Sequence, residues 1–554
     1  MKKSGGHLIV DMLAANGVER VFCVPGESYL AVLDGLHDAD IKLTLARQEG
    51  GAAMMADAWG KLTGKPGICM VTRGPGATNA ASGIHVAAQD STPLILFIGQ
   101  VGRDFRDREA FQEVNYKQMF GGIAKWVAEI DEAARVPEYV ARAFAIAQSG
   151  RPGPVVLALP EDMLRETAEV SALPKVVPAI TAPGTDAMAD LATRLAAARR
   201  PVAILGGSGW TAEAVRQFTD FAERYDLPVG VAFRRQMLFD HLHPNYAGDV
   251  GIGINPALKA RVDDADLVLL VGTRLSEMAS QGYSLIDIPN PKQDVVHVHP
   301  DPNELGKVYQ PALAINAAPA AFCAALQEVK PDGLVSWLGA AQEAHRAYRA
   351  WTDTPPTIPG SMQMGTVMQH LRDTLPDDAI VTNGAGNYAT WIHRFHRFRG
   401  FGTQVAPTSG SMGYGLPGAV AAKLCHPERT VVAFAGDGCF QMTGLEFATA
   451  VQDGAAIIVI VVDNGMYGTI RMHQEMHYPG RVSGTGLHNP DFAALAEACG
   501  GYGERVERTE DFADAFERAQ AAGRPALLHL VVDPEAITPM TTLSAMREKA
   551  LEDA

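Results

Sequence analysis

The chain has 554 residues, with 47 basic and 63 acidic side chains and a formal net charge of −16. Hydrophobic residues make up 47% and charged residues 20%, which excludes both a disordered chain and a small scaffold held by staples. The acidic surface excludes a general nucleic-acid binder but not a small anion at one local site.

Length suggests three or four domains of about 150 residues each. In the first third, the short apolar runs 21–24, 68–71 and 94–98 predict strands buried on both faces, with helical patterns at 49–62 and 77–88 between them. Another run, 155–159, closes the segment, and a Pro- and Ala-rich stretch over 166–186 reads as a linker. The alternation resumes with runs at 202–205, 227–231, 267–271 and 295–298. A second break is expected near 330–360, where Pro331, Pro355, Pro356 and Pro359 cluster. The last third carries runs at 380–382, 431–434, 457–462 and 527–532. The fold class expected is α/β, with three doubly wound parallel-sheet domains over 1–165, 187–332 and 360–554.

Six scattered cysteines form no C-x-x-C pair, so reduced thiols and a cytoplasmic location are expected. The N-terminal segment carries Asp11 and Glu19 rather than a signal-peptide apolar core, and the most continuous apolar run, 455–462, is too short to span a membrane.

The strongest chemical signal is Gly436-Asp437-Gly438 directly after a buried strand, followed 25 residues after Gly438 by Asp463-Asn464-Gly465 at the end of the next strand. This places two oxygen-bearing side chains at the carboxyl ends of neighbouring parallel strands, where open α/β sheets bind ligands. A hard cation could take a carboxylate, an amide oxygen and a backbone carbonyl there, leaving octahedral positions for phosphate oxygens. Asp-Gly and Asn-Gly are also ordinary turn dipeptides, and on spacing alone the two readings stand level.

Other stretches break the tie: Phe22-Cys23-Val24-Pro25-Gly26, Arg47-Gln48-Glu49-Gly50-Gly51-Ala52-Ala53, Gly74-Pro75-Gly76-Ala77-Thr78-Asn79, Ala110-Phe111-Gln112-Glu113 and Gly410-Ser411-Met412-Gly413-Tyr414-Gly415-Leu416-Pro417. In this order and spacing the chain resembles the acetohydroxyacid (acetolactate) synthase group of thiamine-diphosphate enzymes over nearly its whole length. The resemblance implies thiamine diphosphate and Mg²⁺ as cofactors. It makes Glu49 the carboxylate that bonds the cofactor's pyrimidine and Gln112 a second catalytic residue. Met412 becomes the apolar wedge that bends the cofactor, and the Gly410 carbonyl the acceptor for its amino group. Asp437, Asn464 and the Met466 carbonyl become metal ligands. Pro25, Gly386, Asn387, Tyr388, Gly436, Gly438, Cys439 and Tyr467 join the cofactor-binding set. On the substrate side it implies Gly26, Phe111, Gln112, Lys125 and His473. It also implies a homodimer as the minimum active unit and points to a homotetramer, with any regulatory subunit left open.

The activity implied is decarboxylation of a 2-oxoacid, pyruvate first, and carboligation to a second carbonyl compound. The chain departs from the family pattern in the acceptor region. His473 stands where a Trp is usual, Pro25-Gly26-Glu27 replaces a Pro-Gly-Gly turn, and Asn387-Tyr388 replaces Gln-His. A related carboligase or decarboxylase for another 2-oxoacid or aldehyde therefore stays open, as does a flavin-dependent 2-oxoacid oxidase. For FAD the one candidate feature is Gly206-Gly207-Ser208-Gly209, which lacks a full G-x-G-x-x-G and reads better as a plain turn. His297 and His299 have no ligand partners at metal spacing and read as packing residues. A cofactor-binding protein without turnover is disfavoured by the intact Glu49, Asp437 and Asn464.

Overall fold

The apolar runs of the first third become the centre of a six-stranded parallel sheet. The computed structural model describes residues 2–553. After a two-residue strand β1 (Lys3–Ser4) come β2 (Arg20–Cys23), β3 (Lys42–Leu45), β4 (Gly67–Val71), β5 (Leu94–Gln100), β6 (Trp126–Glu129) and β7 (Pro154–Pro160). They lie in the order β3-β2-β4-β5-β7-β6, and β8 (Thr167–Ala168) pairs antiparallel with β1. Strands β4, β5 and β7 are buried at every residue, as continuous apolar runs require when helices cover both faces.

A second parallel sheet holds β9 (Pro201–Leu205), β10 (Val229–Val231), β11 (Tyr246–Asp249), β12 (Leu267–Val271), β13 (Asp294–His299) and β14 (Leu313–Asn316), in the order β11-β10-β9-β12-β13-β14. The third sheet holds β15 (Ile380–Asn383), β16 (Gln404–Val405), β17 (Val431–Gly436), β18 (Ile458–Asp463), β19 (Tyr502–Val506) and β20 (Ala526–Val531), in the order β16-β15-β17-β18-β20-β19. All three sheets are parallel and flanked by helices, so the expected architecture is the one observed.

The chain forms two compact units. One takes the residues up to Ala179 together with Pro407–Pro427 and Thr443–Ala455; the other takes Ile180–Ala406, Glu428–Met442 and Ala456 onward. Helices Gly415–Cys425 and Glu446–Gln452 thus belong to the first unit, although in the sequence they alternate with strands of the third sheet.

Within the stretch 330–360, helix Ala340–Thr352 packs Tyr348 into the core of the second sheet. The turn Gly206–Gly209 follows β9 closely. Gly207 has φ +69, a Cβ there would run into the Gly272 carbonyl, and the Trp210 indole donates to the Gly206 carbonyl at 2.8 Å. His297 and His299 are buried on β13 and bonded to the Thr273 and Asp301 carbonyls. Burial keeps both imidazoles below the ordinary histidine range. None of the six cysteines is in a disulfide, and no helix among the described residues is long and apolar enough to cross a membrane.

Candidate active site

Helix Glu49–Thr63 begins in the first unit just beyond β3. Its N-cap, Gln48, is extended (φ −153), and its side-chain oxygen accepts from Gly50 N at 2.6 Å and Gly51 N at 3.2 Å. This satisfies donors that a helix start leaves unpaired. Glu49 is 9% exposed, and its Oε2 accepts from Asn79 Nδ2 at 2.9 Å. Asn79 lies on helix Pro75–Asp90, which follows β4. Gly76 of that helix lies close to Thr72 and Glu49, since a Cβ there would sit 2.9 Å from Thr72 Cγ2 and 3.4 Å from Glu49 Oε1. Glu446, 1% exposed, accepts from the backbone N–H of Arg47 at 3.2 Å and Gln48 at 3.0 Å, and burial pushes its carboxyl up.

The loop after β5 brings Gln112 to the same end of the sheet. Its backbone is left-handed (φ +65), and a Cβ on Gly74 would lie 2.8 Å from the Gln112 Cβ. A left-handed non-glycine residue costs of order 1 kcal/mol and persists where surroundings enforce it, as at functional sites. Gly74 N in turn donates to the Tyr116 hydroxyl at 2.9 Å.

In the second unit, Gly436 ends β17 and Asp437 opens the helix Asp437–Gln441, beside β18 in register Gly436–Val462. Asp437 Oδ2 and Asn464 Oδ1 both accept from Met466 N, at 3.1 and 3.2 Å. Asn489 donates to Asp437 Oδ2 at 2.8 Å and to Asp463 Oδ1 at 2.7 Å. Burial, with the Asp463 charge adding to it, pushes Asp437 up to about 6. Opposing its own burial, Asp463 is held below the ordinary range by His529, whose Nε2 lies 2.8 Å from Oδ2.

The sequence models of three domains match this chain in order. They are described as thiamine pyrophosphate enzyme N-terminal TPP binding domain (residues 3–119), central domain (188–326) and C-terminal TPP binding domain (384–530). Over 99% of its length the chain is 32% identical to the acetolactate synthase of Mycobacterium leprae, covering 90% of that protein. It is 30% identical to the acetolactate synthase isozyme 2 large subunit of Escherichia coli K12, with 99% of both chains covered. Against the acetolactate synthase of Bacillus subtilis it is 28% identical, with 96% and 94% covered. The chain belongs to the acetolactate synthase family of thiamine pyrophosphate enzymes.

It is therefore a thiamine diphosphate-dependent enzyme, and the residues singled out in the sequence can be placed on its two units. In the first, Pro25 and Gly26 follow β2, and a Cβ on Gly26 would collide with Thr72, beside the Gly74–Asn79 segment. Phe111 is 72% exposed. Lys125 instead caps a helix, with Nζ donating to the carbonyls of Ile146 at 2.5 Å and Ser149 at 2.6 Å. Gly410 (φ +70) has open space where a side chain would be, and Met412 is half-buried.

In the second unit, the glycines around Asp437 serve aromatic packing as well as backbone access. A Cβ on Gly436 would meet the Tyr388 ring at 3.0 Å, one on Gly386 the same ring at 2.8 Å, and one on Gly438 the Tyr467 ring at 2.6 Å. The Tyr388 hydroxyl accepts from Gly384 N at 3.0 Å and lies 3.4 Å from Cys439 Sγ. Asn387 accepts from Thr469 Oγ1 at 2.9 Å, tying it to helix Gly468–His477. On that helix His473 is exposed, its ring parallel to that of His477 at 6.1 Å.

Sequence reasoning missed Asn489, Glu446 and the acid–lysine cluster around Lys61. A bridge between Met466 and Gly486 brings the Asn489 segment back to Asp437 and Asp463, to which Asn489 donates. Asn79 lay inside a recognised motif with no role attached, and only its bond to Glu49 gives it one.

Proposed function

We propose that the chain decarboxylates a 2-oxoacid, pyruvate as the first choice, and joins the remaining acyl unit to a second carbonyl compound. The observation that carries this is the convergence of Asp437 Oδ2 and Asn464 Oδ1 on one backbone N–H beside the diphosphate-side glycines, in a chain of this family. When bound, thiamine diphosphate supplies the electron sink for decarboxylation and carbon–carbon bond formation.

The residues present fit that cofactor and Mg²⁺. Asp437 is a desolvated acid beside a second acid, a setting that favours a cation. Among the described residues no group of three or more His, Cys, Asp or Glu could hold a metal alone. In this reading Asp437, Asn464 and the Met466 carbonyl would hold Mg²⁺, which needs few protein ligands when a phosphate-bearing cofactor is bound. Gly386, Asn387, Gly438 and Cys439 would hold the diphosphate through backbone and amide, with Tyr388 and Tyr467 as walls. Glu49, fixed by Asn79, would hold a proton at the pyrimidine N1′, assisted by the backbone near Pro25. Met412 and the Gly410 carbonyl would set the pyrimidine's angle. Gly26, Phe111 and Gln112 are proposed to face substrate. Lys125 would first have to release its two carbonyls.

Exposed His473, in place of the family's Trp, favours a second reading in which the acceptor is an aldehyde or a different 2-oxoacid. FAD is no part of the proposal, and a flavin absorption band in the purified protein would add it. We place the enzyme in the cytoplasm as a homotetramer built from homodimers. Some relatives are named large subunits, which makes a smaller partner chain worth seeking.

The test is to incubate protein, thiamine diphosphate, Mg²⁺ and pyruvate, alone and with a panel of aldehydes, and identify products. Acetolactate from pyruvate alone supports the first reading, and a mixed acyloin only with aldehyde supports the second. Glu49→Gln should retain the cofactor and lose turnover; unchanged turnover would falsify the role given to Glu49.

A further inference from the structure

Beneath the Gly410–Met412 loop lies a buried cluster of Asp57, Lys61, Asp90 and Tyr414. The side chains of Asp57 and Asp90 are 0% exposed and that of Lys61 is 5% exposed. Lys61 Nζ lies 2.7 Å from Asp57 Oδ2, 2.5 Å from Asp90 Oδ2 and 3.1 Å from the Tyr414 hydroxyl. Asp90 Oδ1 accepts from Thr408 Oγ1 and Ser409 N, both at 2.8 Å, and its Oδ2 accepts from Thr408 N at 3.0 Å. The Tyr414 hydroxyl donates to Asp57 Oδ2 at 2.5 Å. Both ends of the segment 410–413 are thus fixed to one ammonium group through two carboxylates. Those carboxylates sit on helices Glu49–Thr63 and Pro75–Asp90, which also carry Glu49 and Asn79.

We propose that Asp57, Lys61 and Asp90 are positioning residues that hold Gly410 and Met412 in the conformation that receives the cofactor's pyrimidine. The inference rests on the reading above that those two residues contact it. Two buried acids to one base is a poor device for stability. Asp57 Oδ1 has no hydrogen-bond partner, and buried ion pairs are often matched or exceeded by apolar replacements of similar volume. What the cluster supplies is geometry. Gly410 adopts φ +70 and nothing lies within 4 Å of where its Cβ would be. No side-chain packing therefore fixes the backbone there, and its conformation depends on the bonds that anchor the segment on either side.

The test compares affinities for thiamine diphosphate and for inorganic pyrophosphate, each with Mg²⁺, by titration calorimetry. The loop faces the pyrimidine in this reading, so pyrophosphate serves as a probe of the other half of the site. Asp90→Asn should weaken thiamine diphosphate binding about tenfold or more and leave pyrophosphate within about twofold. Tyr414→Phe and Thr408→Val, which each remove a single hydroxyl, should show the same split on a smaller scale and guard against a misfolded Asp90→Asn. Lys61→Arg should restore the affinity that Lys61→Met loses. Equal loss of both ligands, or no loss of either, overturns the inference. A Met412→Ala variant with normal thiamine diphosphate affinity overturns the underlying reading. Normal Asp90→Asn beside weakened Met412→Ala overturns only the positioning role.

Discussion

Glu446 accepts the backbone N–H of Gln48 at 3.0 Å, one residue before Glu49. The same carboxylate takes Arg47 N at 3.2 Å and the Thr449 hydroxyl at 2.7 Å. It therefore fixes the point at which the Glu49 helix starts. Glu446→Ala would take the acceptor from two part-buried backbone N–H groups and leave the Thr449 hydroxyl only the Leu45 carbonyl at 3.4 Å, at ~1–3 kcal/mol for each donor left unsatisfied. Urea unfolding should show a loss of about 3 kcal/mol. Glu446→Gln keeps an oxygen and should lose less; equal losses would mean that volume, not hydrogen bonding, is what matters.

Gly207 has φ +69 and its missing Cβ would run into the Gly272 carbonyl. Gly207→Ala combines a left-handed backbone with a backbone clash and should destabilise the protein by ~3 kcal/mol or more. Thermal unfolding checks this. A melting temperature equal to that of the parent would show that β9 and the Gly272 turn can part without cost.

Helix Leu543–Glu552 is held to helix Gly468–His477 by Arg547, which donates to Glu475 at 2.7 and 2.6 Å. The Arg547 bond brings the Glu475 carboxyl from the ordinary 4.5 down to about 2. A carboxylate depressed in the folded state contributes stability that is complete above its unfolded value and is lost as pH falls. Docking of the C-terminal helix should thus be intact above about pH 4.5 and weaken progressively toward pH 2. Hydrogen exchange of residues 543–552 measures it, and Arg547→Gln should move the loss to higher pH. Exchange independent of pH across that window would exclude this anchor.

Asn489 bonds both Asp437 and Asp463, so on the proposed reading the second unit would present carboxylates to an anionic diphosphate. Without a divalent cation the like charges should prevent binding. Chelator-treated protein should therefore bind thiamine diphosphate at least ~100-fold more weakly, and added Mg²⁺ should restore binding. Unchanged affinity in the chelator would remove the metal from the proposal.

If Glu49 of one copy serves the diphosphate side of another, inactive Glu49→Gln and Asp437→Ala chains should complement each other. Random co-assembly into dimers makes half of them mixed, with one intact site each, so about a quarter of parental activity should return. No recovery in isolated mixed dimers would place both residues of each site in a single chain.

The interior strands of all three sheets could be read from the sequence, and the outermost ones could not. Runs such as 94–98 and 457–462 are apolar at successive positions because helices cover both faces, and the sequence records that directly. Lys42–Leu45, Trp126–Glu129, Leu313–Asn316 and Tyr502–Val506 are outermost strands with only one residue each fully buried. Pairing along a single edge leaves such a strand no continuous apolar run to display.

The site divides in the same way. Glu49, Asp437, Asn464 and Met412 stand in contiguous motifs whose spacing survives in one dimension. Asn489, Glu446 and the Asp57–Lys61–Asp90 cluster act on those residues across tens to hundreds of positions. The sequence by itself determined the three parallel sheets, the cofactor class and the residues expected to touch it. Only the tertiary structure decided which buried polar groups hold those residues in place. A hydrogen bond between distant segments leaves no periodicity in the chain, and a buried carboxylate reads as an ordinary surface charge until its partners are seen.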